Sequence, residues 1–203
     1  MAPTWALLDV WMEAASALVG LLVGIYALKA YRTVRERSLL YLNTSFLVIG
    51  SGMLTRVFVI VYLVTTQRLQ LHFLLQAANL IYILSTLAGY LMLALAYAGR
   101  GWGRAMIAAQ LISLLEMSRP FLLFHLVDAF LLIYVCSNLI GSYITDRSRT
   151  QLLVLAGFLL ILSSHAMPLL AIIYPPILLL EAAIRLAGFL SLFVALATVA
   201  LRR

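Results

Sequence analysis

Ten polar or ionisable side chains interrupt the apolar segments of this chain, and their types suit the binding of an ion or a small polar solute. They are Glu13, Arg56, His72, Gln76, Asn79, His125, Asp128, His165, Glu181 and Arg185. An ionisable group is expensive inside a bilayer and usually faces the interior of a helix bundle or a water-filled cavity. Each of the ten is therefore a candidate for an ion or solute site, although together they match no motif that is typical of one reaction.

Two of the candidates have the spacing of an intrahelical ion pair. Glu181 precedes Arg185 by four residues, which is the favourable order for such a pair. A structural pair that lowers the cost of burying both charges is the simpler reading, and solute binding is the other. Arg56 has no acid one turn away on its own helix, so it needs a partner from another helix. Glu13, Asp128 and Glu181 lie at a similar predicted depth.

Helical spacing also groups the remaining candidates, because residues three or four apart share one face. His72, Gln76 and Asn79 begin a polar stripe on one predicted helix, although an interfacial histidine that meets water is the simpler interpretation of His72. His125 and Asp128 are three residues apart. An aspartate about two turns inside a membrane needs either a partner or a proton, and the second case is how a proton-coupled site works.

The three histidines are weak candidates for metal or haem ligands, since neutral imidazole binds zinc, copper and iron. His72, His125 and His165 come from three different predicted helices, and no HxxxH or HxxE pair occurs. We therefore predict neither a metal site nor a cofactor. Ser163 and Ser164 are adjacent to His165 in sequence and so point in different directions, which leaves enzyme activity without support.

The composition indicates that membrane helices position these residues. The chain is 65% apolar and 10% charged, whereas a soluble domain is close to half apolar and about a quarter charged. Its formal charge of +7 comes mostly from arginines in short predicted loops. Such residues meet lipid phosphates and set the orientation of membrane helices, so we expect the bilayer as a partner and not nucleic acid. The N-terminus lacks the pattern of a signal peptide and is expected to start a retained helix.

Seven apolar spans can be marked between polar, glycine and proline residues: about 8–31, 38–65, 70–98, 104–118, 120–145, 150–173 and 176–201. A transmembrane helix needs roughly 20 residues, and the fourth span rises only about 22 Å as a helix. It would be re-entrant if it did not cross. With seven crossings, ten basic residues fall on one side and two on the other, as expected for cytoplasmic loops. The prediction is an all-α integral membrane protein of the cell membrane with seven transmembrane helices, the N-terminus outside and the C-terminus inside.

A segment at the end of the first span recurs at the end of the fifth span. The copies share a tyrosine, a threonine and two arginines at identical spacing: Tyr31, Thr33, Arg35 and Arg37, then Tyr143, Thr145, Arg147 and Arg149. The distance along the chain from Tyr31 to Tyr143 is the repeat offset. The later helices agree as well, since LAGYLML at 87–93 resembles LAGFLSL at 186–192, at a somewhat smaller offset. Convergence of apolar helices is the alternative to duplication.

Duplication predicts a 3+1+3 parallel internal repeat within a single membrane domain. Residues 1–100 form the first three-helix unit, 101–119 a linker helix that lets both units insert the same way up, and 120–203 the second unit. This layout resembles that of the SWEET and PQ-loop proteins, which implies a substrate site near the repeat interface. That family carries a proline in the first helix of each unit. Here the first span has none after Pro3, and the fifth has only Pro120 at its start.

Predicted topology separates two ends of the molecule. The repeated loop residues act as cytoplasmic anchors, with tyrosines at the interface and arginines that hold the loops inside; they are Tyr31, Arg35, Arg37, Tyr143, Arg147 and Arg149. Eight of the ten polar candidates, all but Gln76 and Asn79, fall in the opposite, outer half, as do Asp9 and Glu116. We therefore expect an outward-facing polar cavity that binds or transports a small solute or ion. The alternatives are an accessory or scaffold subunit of a larger membrane complex and a sensor without its own output domain, with homo-oligomers or partner membrane subunits left open.

Overall fold

The computed structural model of the chain describes residues 4–66, 71–97, 120–171 and 177–201, and all regular structure in these ranges is helical. The helices are α1 (Thr4–Val34), α2 (Arg37–Thr65), α3 (His72–Tyr97), α4 (Pro120–Asp146), α5 (Arg149–Ser164), α6 (Met167–Ala171) and α7 (Ile177–Ala200). The predicted fourth span, 104–118, lies outside the described residues, as do half of the basic residues on which the predicted topology depends. Helix α4 is thus the predicted fifth span, and α7 is the seventh.

Five of the helices are long and apolar enough to cross a membrane, which indicates a multi-pass membrane protein. The qualifying stretches run over Leu8–Val34, Arg37–Thr65, His72–Tyr97, Phe124–Asp146 and Ile177–Ala200, with mean hydropathy between 1.7 and 2.1. Their bounds agree with the predicted spans to within a few residues, because a long apolar run that is bounded by polar, glycine or proline residues is a strong helix signal.

The predicted sixth span is broken in the structure. Helix α5 ends at Ser164, His165 and Ala166 form a turn, and the five-residue α6 follows. Pro168 is the physical reason: proline has no N–H to donate, and its ring clashes with the carbonyl four residues earlier, which belongs to Ser164. The His165 and Ala166 N–H groups bond three residues back instead, at 3.2 and 3.1 Å. The break leaves His165 buried against the bundle interior.

The six longer helices pack as a ring in the order α1, α2, α3, α4, α5, α7, and α7 closes it by packing on α1. Most neighbours in this ring are antiparallel. Between α1 and α2, the Asn43 amide donates to the Gly24 carbonyl at 2.9 Å. Between α5 and α7, the Ser191 hydroxyl donates to the Leu153 carbonyl at 2.8 Å. Short loops suffice for antiparallel neighbours, and α1 joins α2 through only Arg35 and Glu36.

Two pairs of neighbours in the ring are parallel. Tyr82 of α3 packs on Phe124 of α4, with ring centroids 6.2 Å apart, and further along both helices the Tyr134 hydroxyl donates to the Tyr97 carbonyl at 3.1 Å. Later residues of α3 therefore meet later residues of α4. Helices α1 and α7 run parallel in the same way, because Tyr26 packs on Phe193 at 5.1 Å and the earlier Gly20 faces Phe189.

The short loops after α1 and α4 have the same backbone. Arg35 has a φ of 60° and Arg147 a φ of 46°, and within the described ranges no other non-glycine residue has a positive φ. Each donates its N–H to the tyrosine four residues earlier, Tyr31 at 2.7 Å and Tyr143 at 2.8 Å. A left-handed residue that closes the preceding helix is a common way to end an α-helix. The next helix then starts two residues later in both places.

Close packing between helices is also alike in the two regions. Gly89 of α3 lies against α2, where an added Cβ would clash with Ile49 Cγ1 and lie 3.0 Å from the Ser45 carbonyl oxygen. Gly188 of α7 lies against α5, where an added Cβ would lie 2.8 Å from Ile161 Cγ1. Small residues at such points let two helix backbones approach closely in a membrane.

Candidate functional site

A polar cavity of about 150 Å³ lies between α1, α2, α3, α4 and α7, near the end of the bundle where α1, α4 and α7 begin. Its lining consists of Asp9, Glu13, Arg56, Asn79, Tyr82, Ile83, Phe124, His125, Leu178, Glu181 and Arg185. A cavity of this size holds several water molecules, each of which takes about 30 Å³ in the liquid. It is smaller than the roughly 300–1,000 Å³ of a site for drug-sized ligands.

Arg56 of α2 organises one side of the polar cavity. Its Nη1 lies 2.7 Å from Glu13 Oε1 on α1, and its Nε donates to Asn79 Oδ1 on α3 at 2.9 Å. The guanidinium carbon also sits 5.1 Å from the centre of the Tyr82 ring, within range of a cation–π interaction. Glu13 is 1% exposed, so its carboxylate depends on Arg56 for compensation of a buried charge.

Arg185 of α7 organises the opposite side. Its Nη1 donates to Glu181 Oε1 one turn earlier at 2.9 Å and to the Tyr82 hydroxyl at 3.2 Å. Tyr82 therefore lies between the two guanidinium groups, with its ring near Arg56 and its hydroxyl on Arg185. The Arg185 side chain is buried, and its Nε donates to no described residue.

The lining of the polar cavity carries more carboxyl than guanidinium groups. Asp9, Glu13 and Glu181 provide three carboxyl groups, and Arg56 and Arg185 provide two guanidinium groups. The two arginines pair with Glu13 and Glu181. Asp9 forms no hydrogen bond or ion pair within the part of the chain that the structure describes. With these five groups ionised and His125 neutral, the lining has an excess of one negative charge.

A second set of polar side chains adjoins the polar cavity. This histidine cluster consists of Tyr90, His125, Asp128 and His165. The two Nδ1 atoms of His125 and His165 lie 3.2 Å apart, and His165 Nε2 lies 3.3 Å from the Tyr90 hydroxyl. Asp128 Oδ2 is 3.9 Å from His165 Nδ1. His125 belongs to both sets, because it also lines the polar cavity.

Asp128 is the most isolated group of the histidine cluster. Its side chain has 0% exposure, and neither carboxyl oxygen accepts a hydrogen bond from any described residue. Metal coordination is not indicated, since no group of three His, Cys, Asp or Glu side chains in the described ranges is arranged to hold a metal ion.

The structure brings most of the ten sequence candidates to these two sets. Six of them line the polar cavity: Glu13, Arg56, Asn79, His125, Glu181 and Arg185. Asp128 and His165 belong to the histidine cluster. His72 and Gln76 are exposed and line neither set, because the face of α3 that turns into the bundle begins at Ala78 and Asn79.

Sequence reasoning did not single out two residues of the site, Tyr82 and Phe124, and it placed Asp9 in the outer half without naming it as a site candidate. Tyr82 follows Asn79 by three residues and precedes Thr86 by four, so the helical period itself was the available signal. Asp9 precedes Glu13 by four residues and shares its helical face in the same way. Phe124 contributes only an apolar ring, and no sequence signal distinguishes it from the other apolar residues of α4.

The cytoplasmic anchors predicted from the repeat lie at the other end of the bundle. Tyr31 and Arg37 line a shallow notch with Tyr41, and Arg147 and Arg149 flank the start of α5. This end is therefore basic and aromatic, in contrast to the acidic lining of the polar cavity.

Comparison with known proteins adds nothing to this geometry. The chain matches no protein-family model, no curated protein and no solved structure.

Proposed function

We propose that the protein binds a small cation, or a small solute that carries a positive charge, in the polar cavity and moves it across the cell membrane. The observation that carries the proposal is the space of about 150 Å³ between charged side chains inside an apolar bundle. Ion pairs that served only to hold helices together would fill such a space. The excess carboxyl group in the lining favours a positively charged occupant, and Asp9 is the group that remains available to it.

The proposed topology has seven crossings, with the N-terminus outside. Its support is the parallel arrangement of α3 and α4. Tyr97, at the end of α3, lies beside Tyr134, whereas α4 begins at Pro120, fourteen residues earlier, which is about 21 Å of helical rise. The end of α3 and the start of α4 therefore differ by about this height along the bundle, and the chain between them has to span it. The distribution of basic residues between the loops supports the same orientation.

The proposed duplication places the polar cavity at the interface of two three-helix units. Its support is the shared backbone of the loops at Arg35 and Arg147 and the shared packing of Gly89 and Gly188. His125 follows Glu13 by the repeat offset, and both residues line the cavity. Substrate sites at repeat interfaces are a known plan among membrane transporters.

Cation binding can be tested by thermal unfolding of the purified protein in lipid nanodiscs. Sodium, potassium, ammonium and methylammonium chloride would each replace choline chloride at constant ionic strength. A cation that binds the folded state stabilises it by about 2.7 kcal/mol at 100 times its Kd. We expect at least one of these cations to raise the unfolding temperature, and the same cation to enter proteoliposomes that contain the protein.

Asp9→Asn is the informative variant, because Asp9 is in the lining but in no ion pair that stabilises the fold. It should lose the cation-specific stabilisation. Asp146→Asn, at the opposite end of the bundle, is the matched control and should keep it. Equal unfolding temperatures in all five salts, or an unchanged response in Asp9→Asn, would contradict the proposal.

A further inference from the structure

We infer that the histidine cluster is a proton-binding site in which Asp128 holds a proton and exchanges it with the polar cavity through His165 and His125. The inference rests on the proposed function only in taking the polar cavity as the water-filled end of the path. The chemical species that binds is the proton itself, so the site would make any cation movement responsive to pH.

Burial of Asp128 is the first observation. An ionised carboxylate that is fully buried and accepts no hydrogen bond is very costly, and such a group takes up a proton or finds a cation. Among the described residues, His165 is the basic group in ion-pair range of its oxygens, at 3.9 Å. One proton shared between Asp128 and His165 therefore avoids an isolated buried charge. On Asp128 it leaves both groups neutral, on His165 it leaves an ion pair, and the net charge is the same.

The hydrogen bonds of His165 are the second observation. Two Nδ1 atoms at 3.2 Å can form a hydrogen bond only when one carries a proton and the other does not. If the Tyr90 hydroxyl donates to His165 Nε2, then the proton of neutral His165 is on Nδ1 and is donated to His125. Tyr90 thus selects the tautomer in which His165 points a proton towards His125 and away from Asp128.

Proton transfer through this arrangement conserves every proton. His165 passes its Nδ1 proton to His125 Nδ1, and the Asp128 carboxyl proton moves to the vacated His165 Nδ1. His125, now protonated on both nitrogens, releases the Nε2 proton to water in the polar cavity, which requires its ring to turn because Nε2 is buried in this structure. Asp128 is left as a carboxylate, and both imidazoles are neutral again. Both Nδ1 atoms now carry a proton, so the hydrogen bond between the two rings is broken and the His165 Nδ1 proton is directed at the Asp128 carboxylate. The reverse sequence reloads Asp128 from the cavity.

The charges that face the transferred proton come from every helix around His125. Asp9 and Glu13 belong to α1, Arg56 to α2, Tyr82 and Tyr90 to α3, and Glu181 and Arg185 to α7. The carboxylates favour a positive charge on His125, and the guanidinium groups oppose it. Arg149, the ionisable residue of α5, lies at the far end of that helix. A cation in the polar cavity also disfavours a positive charge on His125, so cation binding and proton transfer through His125 compete.

Infrared spectroscopy of the full-length protein in lipid nanodiscs tests the inference without a solute. The protein is transferred from H₂O to D₂O while the carbonyl band of protonated carboxyl groups is recorded. We expect a band that Asp128→Asn lacks, and a shift of that band as deuterium replaces the proton. In His125→Phe the band should remain but shift about 100-fold more slowly, since a positioned proton carrier typically contributes at least this factor.

Controls separate the relay from effects on folding. His72→Phe changes an exposed histidine outside the cluster and should exchange like the wild type. If His125→Phe does not assemble, His125→Gln keeps a polar side chain that cannot relay a proton, and slow exchange is expected there too. A band that persists in Asp128→Asn, or equal exchange rates in the wild type and the His125 variants, would overturn the inference. A protein that binds no cation but passes this test would contradict the proposed function alone.

Discussion

Helices α1 and α4 take equivalent places in the ring but are held in different ways. Helix α1 packs extensively against both α2 and α7, whereas α4 has much smaller interfaces with α3 and α5 among the described residues. Glu13 of α1 is tied to Arg56 by an ion pair. When the chain is aligned with itself at the repeat offset, Glu13 corresponds to His125 and Arg56 corresponds to Pro168. A proline therefore stands where α4 would need an arginine partner. The comparison teaches that the buried carboxylate of α1 is held by an ion pair with another helix, whereas Asp128, the buried carboxylate of α4, has no arginine partner among the described residues.

Removal of Arg56 should have the largest effect on stability. In Arg56→Gln the Glu13 carboxylate stays buried without compensation, which typically costs about 3–5 kcal/mol. The expected result is a large drop in the free energy of unfolding, measured by denaturant titration in mixed micelles. The double variant Glu13→Gln with Arg56→Gln should recover much of the loss. Equal losses in the single and double variants would show that the ion pair is not what holds α1 to α2.

Close helix packing should be the next most sensitive feature, and it should be equally sensitive in both halves. Gly89→Ala places a methyl group against Ile49, and Gly188→Ala places one against Ile161. Overpacking of this kind costs about 1–3 kcal/mol. Thermal unfolding should show similar losses for the two variants. Losses that differ severalfold would break the equivalence of the α2–α3 and α5–α7 interfaces.

Asp128→Asn should have a small effect on stability, in contrast to Arg56→Gln. A neutral amide replaces a carboxyl group that already carries a proton, so no buried charge is gained or lost. We expect the free energy of unfolding to change by less than about 1 kcal/mol, since replacement of one neutral polar group by another leaves the burial cost similar. The same denaturant titration checks this. A loss as large as that of Arg56→Gln would mean that Asp128 acts as the charged partner of His165.

The loops should show the smallest effects, with a change of opposite sign. Arg35 and Arg147 hold a left-handed backbone that costs a residue with a Cβ about 1–2 kcal/mol. Replacement of either by glycine removes that cost, partly offset by the greater freedom of glycine in the unfolded chain. Arg35→Gly and Arg147→Gly should each raise the unfolding temperature slightly and by the same amount. A gain in only one of the two would argue against equivalent loops.

Helix bounds could be predicted because long apolar runs end at polar, glycine or proline residues, and this pattern is visible in the local sequence. The break at Pro168 has a local cause in the chemistry of proline, but the consequence of the break could not be predicted from the sequence. That consequence is the placement of His165 beside His125, which depends on how α4 packs on α5. Likewise, the sequence shows that Arg56 needs an acid from another helix, and three acids lie at a suitable depth. Only packing selects Glu13.

The face of α3 illustrates the limit of periodicity. Residues 72, 76 and 79 share a face with residues deeper in the helix, so the pattern extends the polar stripe to the helix start. In the structure the first turn of α3 lies clear of the other helices, and His72 and Gln76 are exposed. A period of 3.6 fixes the direction of a side chain around its helix, but where along the helix the neighbours begin is a tertiary property.

The parallel contact between α7 and α1 has a consequence for assembly. These helices are far apart in sequence, and no short connection joins them, so their interface forms by recognition between packed surfaces alone. The covalent link between the two halves of the chain is the segment between α3 and α4. A cut within that segment would leave one fragment with α1 to α3 and one with α4 to α7, each with a surface complementary to the other. Co-expressed halves should therefore find each other in the membrane, which is also what the proposed duplication requires of two separate ancestral units.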